Sequence, residues 1–270
     1  KQAPQGNAVN GITRTATQAL VFQMGNFMKR PETGGKSAWD TQKYLNIWVC
    51  NLNPGLLGYA SVPGSELAAY DGVVLTYKAF GKGGTTVSPY NLGRTATHEV
   101  GHWLNLQHIW GDNDGADPCS GTDNVPDTPN QAERNEGCPS FPHPSCGNIS
   151  DMFMNYMDYV RGSCMNLFTI GQKNRMIAAL NGPRAGILSS KGAQEPEFRP
   201  ECDTVTNANN PDGLVFYRIE EFTTGDGFLI GHNSLRDKAF AEYIGSSGLH
   251  SVSRLMFDFA RADFGTPDDS

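Results

Sequence analysis

The chain has 270 residues, 38% of them apolar, with a formal net charge of -7 and a sequence pI near 5.3. That length supports one sizeable domain with its own core and a small second one. The acidic balance excludes broad nucleic-acid or anionic-membrane binding, both of which need a basic surface, and turns attention to acids as cation ligands.

In chain order, the opening KQAPQGNAVN lacks the apolar core of a signal peptide, and no apolar run approaches the roughly 18 residues of a membrane span. A soluble, secreted chain whose export signal has been removed is expected, working as a monomer. Residues 44–50, YLNIWVC, alternate β-branched and aromatic side chains and predict a strand, and residues 72–80, GVVLTYKAF, predict another. Between them, NLNPGLLGYASVPGS carries turn residues and a short edge segment. Thr95 and Thr97, just ahead of His98 and Glu99, predict a capped helix through HEVGHWLNL, with Val100, Trp103 and Leu104 facing the core.

Residues 111–150 are nearly all turn formers, and so long an irregular stretch in a compact domain is either functional or stapled. The span from Thr169 to Leu188 predicts a last helix ended by Gly182 and Pro183. Residues 1–190 therefore form the main domain, 191–212 have linker composition, and 213–270 read as a β-rich, incomplete accessory module with LVFYRI and VSRLMFDFA as strands. His232 and His250 in that last segment read as surface residues. The six cysteines, at 50, 119, 138, 146, 164 and 202, point to disulfides and an oxidising compartment; a thiolate metal site is the alternative, weakened by the lack of any C-x-x-C pair.

The stretch HEVGHWLNLQH, residues 98–108, carries the chemistry. On a helix, positions i and i+4 project from one face, so His98 and His102 can share one Zn²⁺ while Glu99 beside them acts on the attacking water. His108 is too far along a continuing helix to reach the same ion, so the helix must stop and the chain swing back. Asn105 sits where that turn needs a residue with positive φ, which asparagine tolerates best after glycine. A chain of this composition assembles the set by chance roughly once in 10⁴.

Farther on, NYMDY, residues 155–159, places Met157 in a tight polar turn. The long zinc motif followed by a methionine turn resembles the metzincins. The ordered blocks NGITRT, GGKSAWD, KYLNIWVC, LLGYASVPG, DGVVLTYKAFG, HIWGD, DNVPDTPNQ and MFMNYMDY, over about residues 9–190, resemble the pappalysin family of zinc metallopeptidases, particularly its secreted bacterial members.

The resemblance implies an α+β metzincin catalytic domain: a mixed twisted sheet with the zinc-motif helix and a C-terminal helix. It implies a zinc endopeptidase acting on extended protein or peptide substrates, which pair with an edge strand, for which residues 72–80 are the candidate. His98, His102 and His108 then hold zinc, Glu99 is the general base, Met157 lies beneath the histidines, and Tyr159 stabilises the reacting carbonyl. A calcium ion in the following loop is implied as well, with Asp123, Val125 and Asp127 as the best matches and Asp114 beside them. The implied disulfides are Cys119 to Cys146 and Cys138 to Cys164, with Cys50 free and Cys202 unassigned.

Two departures stand out. Family members carry an aspartate pair before the cysteine after the methionine turn, linked to a liking for arginine or lysine after the scissile bond. Arg161 and Gly162 stand there in this chain, which predicts apolar or acidic side chains in that pocket. Only about nine residues precede NGITRT, so the first strand and helix of such a domain are expected to be missing. A binding or adhesion protein with an inactive metzincin domain, or a truncated product that does not fold, are the competing readings. The intact Glu99 and histidine set weigh against the former.

Overall fold

The computed structural model describes residues 1–112 and 117–194, all within one compact unit, Lys1–Glu197. Asp114, Cys202, most of the expected linker and residues 213–270 lie outside the described residues.

Three short strands make a mixed sheet: β1 (Ile47–Cys50), β2 (Gly58–Ala60) and β3 (Val73–Thr76), in the order β1-β3-β2. β3 runs parallel to β1, with Ile47 opposite Val73, and antiparallel to β2, with Tyr59 opposite Val74. A strand flanked on both sides and covered on both faces reads as an unbroken apolar run, and Val73, Val74 and Leu75 are fully buried. This corrects one expectation. Residues 72–80 do not supply the edge: β3 is central and turns at Tyr77–Ala79 into a 3₁₀ segment, while the edge beside the zinc-motif helix is β2, within the stretch read as a short edge segment.

The zinc-motif helix, α1 (Arg94–Trp103), lies on one face of the sheet, where Trp103 packs with Val73 and Leu75 and is joined by Ala96, Val100 and Leu104. Phe22, Met28, Trp48, Leu52 and Val74 fill the opposite face. The start of α1 differs from the threonine cap expected. Gly93, at φ 75°, occupies the cap position and, having no side chain, cannot accept from the first-turn N–H groups, while Thr95 and Thr97 lie inside the helix.

After α1 the described residues are irregular as far as α2 (Ile170–Asn181), apart from the 3₁₀ turn Pro118–Ser120. α2 begins with a capping box: the Thr169 hydroxyl accepts from Gln172 N and the Gln172 side chain accepts from Thr169 N. It ends at Gly182, as expected. Two disulfides staple the irregular stretch, Cys119 to Cys146 and Cys138 to Cys164, with separations of 27 and 26 residues. Loops of that size predict about 3.5 kcal/mol of stabilisation each. Cys50, on β1, is a free thiol whose pKa burial pushes up to about 11, as suits an inert core cysteine.

Behind the sheet and helix, buried Arg184 ties distant parts together. Its guanidinium pairs with Asp71, donates to the Ser61 and Trp103 carbonyls, and lies 4.2 Å from the Trp103 ring centroid. Among the described residues, no helix is long and apolar enough to cross a membrane.

Candidate active site

His98 and His102 face the same way from α1, and the helix stops at Trp103. Asn105 then takes φ 73°, the left-handed conformation expected of it, and Leu106 N turns back to donate to the Gly101 carbonyl at 2.9 Å. Arg175 of α2 holds the turn by donating from Nε to the Asn105 carbonyl at 2.5 Å. The reversal carries His108 to the other two. Nε2 of His102 lies 3.0 Å from Nε2 of His98 and 3.0 Å from that of His108, and the third separation is 3.3 Å.

The opposite nitrogens explain what these three atoms need. Nδ1 of His98 is 2.7 Å from the Tyr156 carbonyl, Nδ1 of His102 is 2.9 Å from the Leu106 carbonyl, and Nδ1 of His108 is 2.6 Å from the Asp112 carboxylate. Each of those partners accepts, so each Nδ1 carries the proton and each Nε2 presents a lone pair. Three lone pairs converging with no proton between them repel unless a cation takes them. Ligands about 2.0–2.1 Å from a tetrahedral Zn²⁺ stand roughly 3.3 Å apart, close to the spacing here. The residues therefore fit zinc.

Electrostatics agree. Burial pulls the His98 pKa well below its usual 6.5 and lowers that of His102, and burial together with His102 takes His108 down to about 3. All three rings are neutral near pH 7, as metal ligands must be. Among the described residues, these three are the only group of three or more metal-capable side chains whose ligand atoms lie within 4.8 Å of one another.

Glu99 is 6% exposed, and burial raises its pKa to about 8. A dication at the histidines would pull that value back toward the ionised form that a general base requires. Its neighbour is the edge strand: a β-carbon on Gly58 of β2 would stand 3.0 Å from Glu99 Cγ, so glycine there lets the strand approach the carboxylate. Below the histidines, Met157 is fully buried with Leu106 and Ile109. A β-carbon on Gly101 would come within 2.6 Å of Met157 Sδ, so the bare face of α1 at Gly101 is the seat of the methionine. Tyr159 is 43% exposed, with its ring centroid 4.8 Å from that of His108 and 5.6 Å from that of His98. Burial raises its pKa above 10, so the hydroxyl keeps its proton and can donate.

Residues 32–181 match the M43 peptidase family, described as pregnancy-associated plasma protein-A. The chain belongs to this family, the pappalysins. An extracellular metalloprotease of Arthroderma otae is 40% identical over 190 residues, 68% of this chain and 67% of the relative. That of Arthroderma benhamiae is 40% identical over 164 residues, 58% of this chain and 59% of the relative. The match thus spans about three fifths to two thirds of these relatives. Mature mirolysin of Tannerella forsythia in complex with a cleaved peptide superposes with a TM-score of 0.66 at 54% identity, covering 69% of this chain and 72% of that one. Family, relatives and fold agree on a metalloendopeptidase of the metzincin type.

In this pappalysin the loop acids do varied work. Asp112 anchors His108, and Asp117 caps the turn at Cys119. Asp123 is 3% exposed, with its carboxylate accepting from Val125 N and the Thr128 hydroxyl. Asp127 accepts from Gly171 N at the start of α2, which holds its pKa below the usual value. Arg161 is exposed, with its N–H on the Gly137 carbonyl, while Gly162 is buried against Arg94.

Sequence reasoning missed several supports. The Trp110 ring stacks on His108 at 4.2 Å with planes 6° apart. Fully buried Asp158 accepts from Gln131, Asn135 and Tyr159 N, binding the methionine turn to the cysteine-rich loop. Asn155 and Gln172 exchange side-chain hydrogen bonds and tie that turn to α2. The motif HEVGH did contain one usable signal, since a mid-helix glycine costs about 1 kcal/mol against alanine and calls for a packing reason.

Proposed function

We propose that this pappalysin is a secreted zinc endopeptidase that hydrolyses peptide bonds of extended protein substrates. The observation that carries the reading is the convergence of three unprotonated Nε2 atoms beside Glu99 and the edge strand β2. His98, His102 and His108 would hold the ion. When bound, zinc polarises the scissile carbonyl and acidifies the attacking water. Glu99 accepts the water proton and delivers it to the leaving amine. The Tyr159 hydroxyl donates to the oxyanion that develops on the carbonyl oxygen. β2 offers its open edge to the substrate backbone, a mode that needs an extended peptide and reads little of its sequence. The cleaved peptide in the mirolysin complex supports this substrate class. The relatives' description as extracellular proteases and the two disulfides support export.

The same reading includes a structural calcium in the loop after the histidines, bound by Asp123, Asp127 and the Val125 carbonyl, with Asp114 as a further ligand. Burial raises the Asp123 pKa, a penalty that an adjacent cation would relieve. Zinc content and casein cleavage, compared between the parent and Glu99→Ala with and without calcium, test both parts. The expected outcome is stoichiometric zinc in both proteins, cleavage by the parent alone, and loss of cleavage with zinc retained once calcium is chelated. Turnover by Glu99→Ala would remove Glu99 from its role, and indifference to calcium would remove the calcium site.

A further inference from the structure

Among the described residues, one cation near the histidines, Arg94, has no ion-pair partner. Arg94 is the first residue of α1 and lies one turn ahead of His98 on the same face. Its guanidinium carbon is 5.3 Å from the centroid of the Tyr156 ring, and the Tyr156 carbonyl is the acceptor for His98 Nδ1. Among the described residues, Arg94 Nε is buried without a hydrogen-bond partner and Arg94 enters no ion pair. Across from it is Gly162, where a β-carbon would stand 3.3 Å from Arg94 Cγ and 3.4 Å from the Pro89 carbonyl oxygen. The position from which a side-chain carboxylate would meet the guanidinium is therefore bare. Arg161 next to it adds no negative charge, and its own side chain is exposed.

An unmatched donor on a partly desolvated guanidinium is unfavourable by itself, and its planar fork suits a carboxylate better than any other group in a peptide. Resting on the endopeptidase reading, we propose that Arg94 is a specificity-determining residue: it receives the side-chain carboxylate of a substrate aspartate or glutamate adjoining the scissile bond. The same charge disfavours lysine and arginine there.

The test profiles cleavage of a peptide library by the parent, Arg94→Gln and Gly162→Asp, and measures binding of an acidic peptide and its amide counterpart to the zinc-loaded Glu99→Ala protein with and without Arg94→Gln. At one position adjoining the cleaved bond, the parent should favour acidic over amide side chains by at least about tenfold, the discrimination expected of a charge-assisted pair. Arg94→Gln should lose that enrichment. Gly162→Asp should lose it too, by giving Arg94 an internal carboxylate; its β-carbon needs Arg94 Cγ and the Pro89 carbonyl to yield by a few tenths of an ångström, and an unchanged far-ultraviolet spectrum and zinc content show that the variant is folded. No acid enrichment in the parent, or enrichment that survives in Arg94→Gln, overturns the assignment. If no peptide is cut, the endopeptidase reading fails separately and the binding arm decides: tighter acidic-peptide binding that depends on Arg94 upholds the pocket, and equal binding overturns it.

Discussion

His98 and His102 stand on a helix that is packed against the sheet on one side and against Met157 on the other, whereas His108 comes from a chain segment with no repeating structure. The helical pair is oriented by backbone carbonyls, those of Tyr156 and Leu106. The third histidine depends on side chains: the carboxylate of Asp112, itself at φ 48°, and the stacked ring of Trp110. A backbone carbonyl is fixed by the fold, but a side-chain partner can be changed by one codon. The difference teaches that one metal site can have a half as stable as the core and a half only as stable as its individual contacts.

The strongest way to break the helical half is Gly101→Val, which drives a branched side chain into Met157 Sδ. Overpacking at a fully buried contact should cost about 3 kcal/mol, seen as a drop in urea midpoint and a raised methionine turn that no longer supports zinc. On the loop half, Asp112→Asn keeps the size of the side chain and removes the negative charge that faces His108 Nδ1. Zinc affinity, measured by competition with a chelator, should weaken about 10–100-fold with little change in the stability of the metal-free protein.

The metal-free protein also separates Glu99 from the histidines by pH. The histidines have folded pKa values below 6.5, so they withdraw stability as pH falls from 6.5 toward about 3, where only the unfolded chain has taken up their protons. Glu99 acts the other way. Raised from 4.5 to about 8, it withdraws stability as pH rises through that window, because only the folded chain still holds the proton. From pH 6.5 to 8 the Glu99 contribution falls by on the order of 2 kcal/mol, while the histidines, whose unfolded forms are still losing protons near 6.5, give part of it back, so the Glu99 effect is read as the difference between parent and variant. Glu99→Gln should flatten that limb of the thermal-midpoint profile and leave the acid limb in place. The smallest effect is expected at the junction of the two halves: Asn105→Gly, at φ 73°, should change stability by no more than about 0.5 kcal/mol and leave zinc binding unaltered.

What the sequence made legible was local or repeated in spacing. The i, i+4 histidines, the positive-φ turn at Asn105 and the Thr169 to Gly182 helix each depend on neighbours a few residues away. The disulfide pairs followed from the family resemblance, since four crowded cysteines alone leave several connectivities open. Strand order was not legible, because β2 is three residues long and nothing within GYA says that β3 rather than β2 will be central. The helix start differs from the expectation because α1 already begins at Arg94, and a threonine near the head of a helical pattern looks the same in sequence whether it caps the helix or sits in its first turn. Trp110, Asp158 and Arg184 were invisible for a common reason: their partners are chosen by the tertiary fold.

Arg184 has a consequence in time as well as in space. Its partners Ser61, Asp71 and Trp103 lie 123, 113 and 81 residues before it, and Met157 likewise follows the histidines it supports. On a ribosome the histidine helix emerges long before the residues that fix it to the sheet and close its floor, and contacts of such long range form late. The hydrolytic centre is therefore assembled only when the last quarter of the domain has been made. A nascent chain cut short before that point would carry the motif without the means to cut its neighbours.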